Sequence, residues 1–264
     1  MSEIIIRAEN VTKTFVSRKG QVEAVRDFSI DVQRGKVVCI VGASGCGKST
    51  FLNMVAGFIQ PTSGCISLEG KPITSIEPRC GMIFQSYALF PWMTVLDNVS
   101  FGPRLKGVRK SERYQKARLW IEMVGLQGFE DAYPGELSGG MQQRVALSRV
   151  LANEPDVLLC DEPFAALDAM TRQIMQQELL HIVQESGKTV IFITHSIDEA
   201  LILSDTLVVM SARPGQVKAI YDNDLPHPRM LEVQLTDRFL KLKRQVWNLV
   251  QEEVVGSMTM PVTR

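Results

Sequence analysis

The sequence predicts an α/β fold: a mostly parallel sheet with flanking helices, an N-terminal antiparallel β region and an inserted α-helical subdomain. Four short apolar runs support the parallel sheet, because strands that helices cover on both faces lack polar alternation. The opening segment does alternate, and a charged middle segment has helical spacing instead. The four apolar runs are residues 37–41, 157–160, 189–194 and 207–210.

The N-terminal segment predicts antiparallel strands. Residues 4–15 and 22–32 alternate between apolar and polar side chains, and a turn at Arg18, Lys19 and Gly20 separates them. Alternation is typical of strands with one covered face, and a short polar turn favours antiparallel pairing. We therefore expect an antiparallel β region ahead of the parallel core.

A glycine-rich segment follows the first apolar run and precedes a helical pattern. It satisfies G-x-x-x-x-G-K-[ST], which on the order of one chain in a hundred of this length matches by chance. Its glycines let the backbone wrap a triphosphate, Lys48 adds a charge between the β- and γ-phosphates, and the Ser49 hydroxyl suits Mg²⁺. The alternative is a flexible glycine loop. The segment consists of Gly42, Ala43, Ser44, Gly45, Cys46, Gly47, Lys48, Ser49 and Thr50.

Two adjacent acids, Asp161 and Glu162, follow the second apolar run. Alternation along a strand points neighbouring side chains in different directions, so the two acids can have different roles. Asp161 suits the surroundings of Mg²⁺, and Glu162 suits a general base that polarises an attacking water. Without the phosphate loop, an apolar run that ends in this way is mostly structural.

The charged middle segment, residues 87–150, predicts the inserted helical subdomain. Within it, Ser138 is a suitable N-cap for a helical pattern that runs to about Ala152. Gly139 and Gly140 leave backbone N–H groups exposed at the start of that helix. The segment is therefore a second helix N-terminus that suits phosphate.

These features divide the chain into three parts. Residues 1–86 and 151–222 form the predicted nucleotide-binding α/β core, and residues 87–150 form the helical insert. Residues 223–264 form a C-terminal helical extension, because residues 236–250 are amphipathic with the spacing of one helix.

The order of these motifs resembles the ATP-binding cassette family of transporter ATPases. A phosphate loop, the Leu-Ser-Gly-Gly segment at 137–140, the acids at 161–162 and a histidine after the next strand follow one another as in that family. The resemblance covers about residues 4–220. It implies a P-loop NTPase core, ATP and Mg²⁺ as ligands, and ATP hydrolysis coupled to transmembrane transport.

The resemblance also implies roles for three further residues. Gln85 resembles the glutamine that touches Mg²⁺ and joins core to insert, and a carboxamide coordinates a metal without adding charge. His195 resembles the switch histidine that reaches the γ-phosphate. Asp168, after Ala166 and Leu167, resembles the segment by which two cassettes sense each other. The alternatives are a surface glutamine, a histidine without a functional role and an acid that starts a helix.

Phe15 stands where the family usually has an aromatic residue under the adenine. Stacking of a base on an aromatic ring contributes roughly 1–3 kcal/mol and does not read the identity of the base. A phenylalanine supplies the ring without a hydroxyl. The alternative is a core residue of the β region.

The family's mechanism implies that the chain works in pairs. In the family, the segment that matches Ser138–Gly140 binds the γ-phosphate held by the other cassette, so a head-to-tail dimer encloses two ATP molecules. This chain has one set of motifs, and a C₂ homodimer is therefore the simplest assembly. ATP then holds the dimer closed, and hydrolysis lets it open.

Composition restricts the other partners. Lys plus Arg and Asp plus Glu both number 29, so nucleic acid, which needs surplus clustered cations, is not expected. The five cysteines are scattered, which favours reduced thiols over disulfides or a zinc site. No apolar stretch approaches the roughly 18 residues of a membrane span. Transport therefore needs a separate permease, and we expect the chain at the cytoplasmic face of the inner membrane, bound through that permease.

The segment after Gln85 is the candidate contact with a permease. Residues 87–93 are aromatic and apolar and suit a docked helix, or else they pack inside the insert. The strings at 89–99, 209–215 and 227–229 resemble nitrate/sulfonate/taurine-type importers, which also use a solute-binding protein. The expected function is the ATPase subunit of such an importer. The alternatives are a soluble ATPase without a transport role and the cassette of an exporter.

Overall fold

A computed structural model of the protein describes residues 3–18, 20–165, 167–227, 229 and 231–259. The chain packs into two units, one formed by Met1–Glu77 with Gly187–Arg264 and the other by Pro78–Ser186. The strands are β1 (Ile4–Ser17), β2 (Gly20–Gln33), β3 (Val37–Gly42), β4 (Ser63–Leu68), β5 (Lys71–Pro72), β6 (Cys80–Ile83), β7 (Val157–Asp161), β8 (Thr189–Ile193), β9 (Thr206–Met210) and β10 (Val217–Asp222). The helices are α1 (Lys48–Val55), α2 (Val95–Val99), α3 (Phe101–Leu105), α4 (Lys110–Met123), α5 (Gly139–Leu151), α6 (Ala169–Ser186), α7 (Ile197–Leu203) and α8 (Asp237–Thr259), with 3₁₀ turns at Pro134–Glu136 and Leu231–Leu235.

The first unit places the strand before the phosphate loop between two parallel neighbours. β3 pairs in parallel with β8 and with β9, and β10 runs antiparallel to β9. Every residue of β3 and β8 is buried, which explains why these runs lack polar alternation. The strands predicted at 37–41, 189–194 and 207–210 are confirmed.

The N-terminal region of the same unit forms a separate antiparallel sheet with the strand order β2-β1-β4-β5. β1 and β2 pair from Ile4 opposite Gln33 to Ser17 opposite Gly20. The predicted antiparallel region is therefore confirmed, whereas Lys19 of the predicted turn lies outside the described residues.

The second unit combines a parallel strand pair with helices α2–α6. β6 pairs with β7, and α5 packs against α2, α4 and α6. The helical character is confirmed, but the first helix begins only at Val95 because residues 87–94 form a loop. Asn98 is fully buried and holds that loop, since its Nδ2 donates to the carbonyls of Phe90 (3.1 Å) and Met93 (3.0 Å).

The C-terminal helix is longer than predicted. The pattern predicts a helix over residues 236–250, but α8 extends to Thr259. Its later turns are held by Glu253, whose carboxylate accepts a hydrogen bond from the Ala212 N–H (2.8 Å) and pairs with Lys218 (2.6 Å). These partners lie far away in sequence, so helical periodicity alone did not indicate them. The buried face of α8 consists of Phe239, Leu242 and Val246.

Two predictions concern the chain as a whole. Within the described residues, each helix is too short or too polar to cross a bilayer. The boundaries predicted for a core, an insert at 87–150 and an extension from residue 223 stay predictions.

Candidate active site

The phosphate loop lies between β3 and α1 in the first unit. Gly47 has a φ of 104°, and a Cβ at this position would lie 2.4 Å from the Ala24 carbonyl oxygen of β2. Gly42 is equally crowded, since its Cβ would lie 2.6 Å from the Met210 carbonyl oxygen of β9. Because a side chain fits neither position, both glycines are required for the path of the loop.

Lys48 begins α1, and its ammonium group is buried within the loop. The residue is 5% exposed, and Nζ donates to the carbonyls of Gly42 (2.9 Å) and Ala43 (3.0 Å). Ser49 follows in the first turn of α1 and is exposed. A buried cation beside the N–H groups of a helix N-terminus is the combination that binds phosphate.

Cys46 lies in the same loop as a buried thiol. Burial raises the pKa of this thiol, and the Lys48 ammonium, 3.9 Å from Sγ, opposes that change only in part. The thiol is therefore protonated at neutral pH, and its contribution is packing.

Phe15 lies near the end of β1 with its ring at the surface. The residue is 42% exposed, and the Lys13 ammonium lies 5.3 Å from the ring centroid. The alternative of a core residue is therefore wrong, and the ring is accessible for stacking on a base.

His195 lies between β8 and α7 and is exposed. Its neighbours on both sides are fixed: the Thr194 hydroxyl accepts a hydrogen bond from the Ser196 N–H (3.0 Å). The Ser196 hydroxyl in turn accepts from the Glu199 N–H (3.3 Å) and caps α7. The backbone that carries His195 is thus held by the N-terminus of α7.

In the second unit, Asp161 is the last residue of β7 and Glu162 lies just beyond the strand. Glu162 has a φ of 44°, a left-handed backbone conformation that is uncommon for glutamate. The expectation that strand alternation separates the two acids is therefore wrong for Glu162, because the backbone turn sets its direction.

Ser138 is the N-cap of α5, and its hydroxyl accepts a hydrogen bond from the Met141 N–H (3.3 Å). Gly139 and Gly140 are the first two residues of the helix, as predicted. This end of α5 therefore presents a capped helix N-terminus to an anion.

Asp168 occupies the start of α6. Its Oδ1 accepts hydrogen bonds from the N–H groups of Met170 (3.1 Å) and Thr171 (3.0 Å), and the hydrogen bonds with Thr171 lower the pKa of the carboxyl. This geometry is that of an acid that starts a helix. Ala166 of the same predicted segment lies outside the described residues.

Gln85 is exposed and follows β6. The loop that it opens is held by Arg149 of α5, whose guanidinium donates to the carbonyls of Tyr87 (2.9 Å) and Ala88 (2.6 Å). Arg149 also lies 5.6 Å from the ring centroid of Phe90. Burial lowers the pKa of Arg149, but a guanidinium is so strongly basic that it stays charged.

The sequence model of a known family covers the phosphate loop and both acids. The family described as ABC transporter matches residues 25–165 of this chain. The chain belongs to the ABC transporter family. An uncharacterized ABC transporter ATP-binding protein of Methanocaldococcus jannaschii is 48% identical over 97% of this chain and 95% of its own length. A taurine import ATP-binding protein of Pelagibacter ubique is 43% identical over 97% of this chain and 99% of its own length.

Solved ABC cassettes share this fold. A dimeric cassette in a post-hydrolysis state with ADP and phosphate matches with a TM-score of 0.72 and 31% identity, over 83% of this chain and 98% of its own. A component of a Clostridium perfringens ABC transporter complex matches with a TM-score of 0.77 and 28% identity, over 98% of this chain and 100% of its own. The predicted fold class is confirmed, and so is the prediction that this ABC protein is an ATPase.

The sequence did not indicate that Arg149 holds the loop after Gln85 in this ABC cassette. An arginine in a helical segment reads as a surface residue, and its two acceptors lie about 60 positions earlier. The available signal was its place in α5, where most residues are apolar or small and the helix is largely buried. A cation on a buried helix needs acceptors, and loop carbonyls supply them.

Proposed function

We propose that this chain is the ATP-hydrolysing subunit of an importer for a small solute such as nitrate, a sulfonate or taurine. The observation that carries the proposal is its similarity to taurine import ATP-binding proteins of several bacteria, at 43–45% identity over 89–97% of the chain. At 97% of the chain, the similarity to two of these relatives includes most of the C-terminal region, which lies beyond the nucleotide motifs.

The phosphate loop is proposed to bind the triphosphate of ATP. Residues 42–50 supply backbone N–H groups, and Lys48 supplies the charge between the β- and γ-phosphates. The accessible ring of Phe15 stacks on the adenine, and a phenylalanine suits this role because stacking needs no hydroxyl. Both contacts lie in the first unit of the chain.

Mg²⁺ is the proposed metal, held by Ser49, Asp161 and Gln85. These side chains offer a hydroxyl, a carboxylate and a carboxamide, and hard oxygen donors of this kind fit Mg²⁺. Asp161 stands at the half-buried end of a strand whose other residues are all buried. When bound, the metal neutralises charge on the β- and γ-phosphates.

Glu162 is the proposed general base, and His195 the proposed contact of the γ-phosphate. The left-handed backbone of Glu162 costs free energy, and such conformations concentrate at functional sites. Replacement by glutamine keeps the shape but not the base, so Glu162→Gln is expected to reduce hydrolysis by roughly 10²–10⁴-fold. ATP binding is expected to persist, and turnover near that of the wild type would refute the assignment.

A homodimer is the proposed working state. Ser138, Gly139 and Gly140 bind the γ-phosphate held by the second copy, and Asp168 senses that copy across the interface. The dimeric solved cassettes support this arrangement. Ser138→Arg places a bulky cation on the capped end of α5, and it is expected to abolish turnover while ATP still binds at Lys48. Normal hydrolysis by this variant would refute the shared site.

The permease is proposed to dock on an apolar groove in the second unit. The groove has a volume of about 490 Å³ and is open to solvent, with Leu105 73% and Phe84 37% exposed. Phe90 packs on Phe101, with the ring centroids 4.5 Å apart, whereas the neighbouring Trp92 is 70% exposed. One part of the aromatic segment therefore packs inside the unit, and the other part is available to a partner.

The proposed occupant is an amphipathic helix from a cytoplasmic loop of the permease. Apolar side chains of such a helix fit between the rings, and its acidic side chains pair with Lys106 and Arg149, which also line the groove. Trp92→Asp combined with Leu105→Asp is expected to reduce co-purification with the permease at least about tenfold, the effect of losing about 1.4 kcal/mol. Leu119→Asp, at a 60% exposed position outside the groove, is the matched control. Equal retention by both variants would refute the docking site.

The solute is tested in the assembled transporter. The complex with its permease and solute-binding protein is reconstituted in vesicles, and ATPase activity is measured against nitrate, taurine and a set of sulfonates. Stimulation by one of these solutes from the binding-protein side supports the proposal. Stimulation only by solutes on the cassette side indicates an exporter, and hydrolysis that ignores permease and solute indicates a soluble ATPase.

A further inference from the structure

The structure holds α7, the helix that follows His195, at both ends by residues of the C-terminal region. We infer that Asn223, Arg229 and Lys243 form a brace on α7 that positions His195 for catalysis. The inference rests on the γ-phosphate role proposed above for His195. It assigns a positioning role in hydrolysis to residues that lie beyond the nucleotide motifs.

The first end of the brace is Arg229, which is 4% exposed. Its guanidinium donates to the Ile202 carbonyl in the last turn of α7 (3.4 Å) and to the carbonyl of the C-cap residue, Ser204. It also donates to the Leu225 carbonyl (3.1 Å) and the Asn223 carbonyl (3.2 Å). One planar cation thus joins the end of α7 to the segment that leads into the C-terminal helix.

Asn223 reinforces the same end of α7. Its Nδ2 donates to the carbonyls of Leu201 and Ser204, each at 2.8 Å. Together, Asn223 and Arg229 provide donors for carbonyls that a helix end otherwise leaves to water. The positive charge of Arg229 also lies at the negative end of the helix dipole, where a cation is stabilising.

The other end of the brace is Lys243 of α8. Its ammonium lies 2.7 Å from Oδ1 and 2.8 Å from Oδ2 of Asp198, in the first turn of α7. Both side chains are about 40% exposed, so this pair stabilises the fold only weakly. The position of the Lys243–Asp198 pair matters more than its strength, because Asp198 lies only three residues after His195.

The connection from α7 to His195 is short and rigid. Ser196 caps the helix, and its N–H donates to the Thr194 hydroxyl, which is also hydrogen-bonded to the buried carboxylate of Glu199. β8 fixes the chain before His195, and α7 fixes it afterwards. A displacement of α7 therefore moves Ser196 and changes where the imidazole lies.

The test compares matched variants within the C-terminal region. Arg229→Lys keeps the charge but loses the planar fork, and it is expected to lower kcat about tenfold, with KM and Kd for ATP within about twofold. The control is Arg238→Lys, because Arg238 lies in the same region but pairs with the exposed Asp224. Thermal unfolding checks that both variants fold.

A second pair of variants keeps the inference testable if Arg229→Lys does not fold. Lys243→Met is expected to lower kcat about threefold, as for the loss of a surface ion pair, and Lys241→Met, at an exposed position two residues earlier, is expected to have no effect. Retention of full kcat by Lys243→Met and Arg229→Lys would overturn the inference, and so would a loss of ATP affinity in place of kcat.

The closing experiment combines each brace variant with His195→Ala in single-turnover phosphate release. If the brace acts through His195, Lys243→Met and Arg229→Lys lower the rate no further in that background. The same fractional loss with and without His195 would overturn the brace and leave the proposed function intact. Wild-type turnover by His195→Ala alone would instead refute the role of His195 in the proposed function.

Discussion

The phosphate loop and the loop that Gln85 opens are held in different ways. The phosphate loop is fixed mainly by its own backbone, because Gly42 and Gly47 lie so close to neighbouring strands that a side chain fits at neither position. The loop at 87–94 is fixed by distant side chains instead. Arg149 and Asn98 donate to its carbonyls, and its aromatic residues are partly exposed.

This difference corresponds to what each loop is proposed to bind. Every cassette binds the same phosphate group, so a short sequence motif can encode a loop whose shape is fixed by backbone geometry. The surface that is proposed to receive a permease must match one partner, and side-chain anchors allow its aromatic residues to vary. Substitution of the glycines in the phosphate loop should therefore have a different effect from substitution of the side chains that hold residues 87–94.

The largest effect is expected at the phosphate loop. Gly47→Ala adds a Cβ 2.4 Å from the Ala24 carbonyl and forces alanine to a φ of 104°, so the loop and Lys48 must shift. We expect Kd for ATP to rise at least about a hundredfold, since strain of this kind costs roughly 1–3 kcal/mol before the clash is added. Titration with a fluorescent ATP analogue measures this.

Gly20→Ala is the matched control for that prediction. Gly20 has a φ of 124°, but among the described residues no atom lies within 4 Å of its added Cβ. Gly20→Ala therefore imposes similar backbone strain without the close approach to a carbonyl oxygen that Gly47→Ala causes. Equal loss of ATP binding in both variants would show that backbone strain, and not close approach, decides the effect.

The next effect is expected at the Gln85 loop. Arg149→Met leaves the carbonyls of Tyr87 and Ala88 without their donor, and we expect the free energy of unfolding to fall by about 1–3 kcal/mol. Urea denaturation measures the change. Arg118→Met, at an exposed position on α4, is the control and is expected to be neutral. No difference between the two variants would mean that Arg149 does not hold the loop.

The smallest effect concerns Cys46. Because burial raises the pKa of this thiol, we expect slow alkylation at pH 7–8, with the rate rising only above the pKa range of a free thiol. A variant that keeps Cys46 alone is compared with one that keeps the partly exposed Cys65 alone. Rapid alkylation of Cys46 in the folded protein would show that the loop opens more readily than its packing indicates.

The same contrast explains how much the sequence could predict. The apolar runs gave the strands β3, β7, β8 and β9, and the motif spacing located the phosphate loop and the cap of α5 at Ser138. These features depend on neighbours in sequence. Periodicity and capping chemistry act over a few residues, so a single sequence contains them.

The features that sequence reasoning missed depend on distant contacts. The anchoring by Arg149 and the last turns of α8 each follow from contacts with elements that the chain reaches much earlier. The left-handed backbone of Glu162 is a third case, because strand alternation does not predict it. The sequence left the exposure of Phe15 open between stacking and the core, because an aromatic residue in a strand is buried or exposed according to what covers it. The roles proposed for the site residues depend on ligands and partners, which a single sequence does not contain.

The order of synthesis gives the phosphate loop a further property. β3 pairs with β8 and β9, and Gly42 packs against the Met210 carbonyl. The interval from Lys48 to Met210 is 162 residues (210 − 48). At about 5–20 residues per second, the ribosome needs roughly 8–32 s to make that interval. A nascent chain therefore contains the complete phosphate loop well before it contains the strands that shape it, and the loop takes its final shape only after β9 has been made.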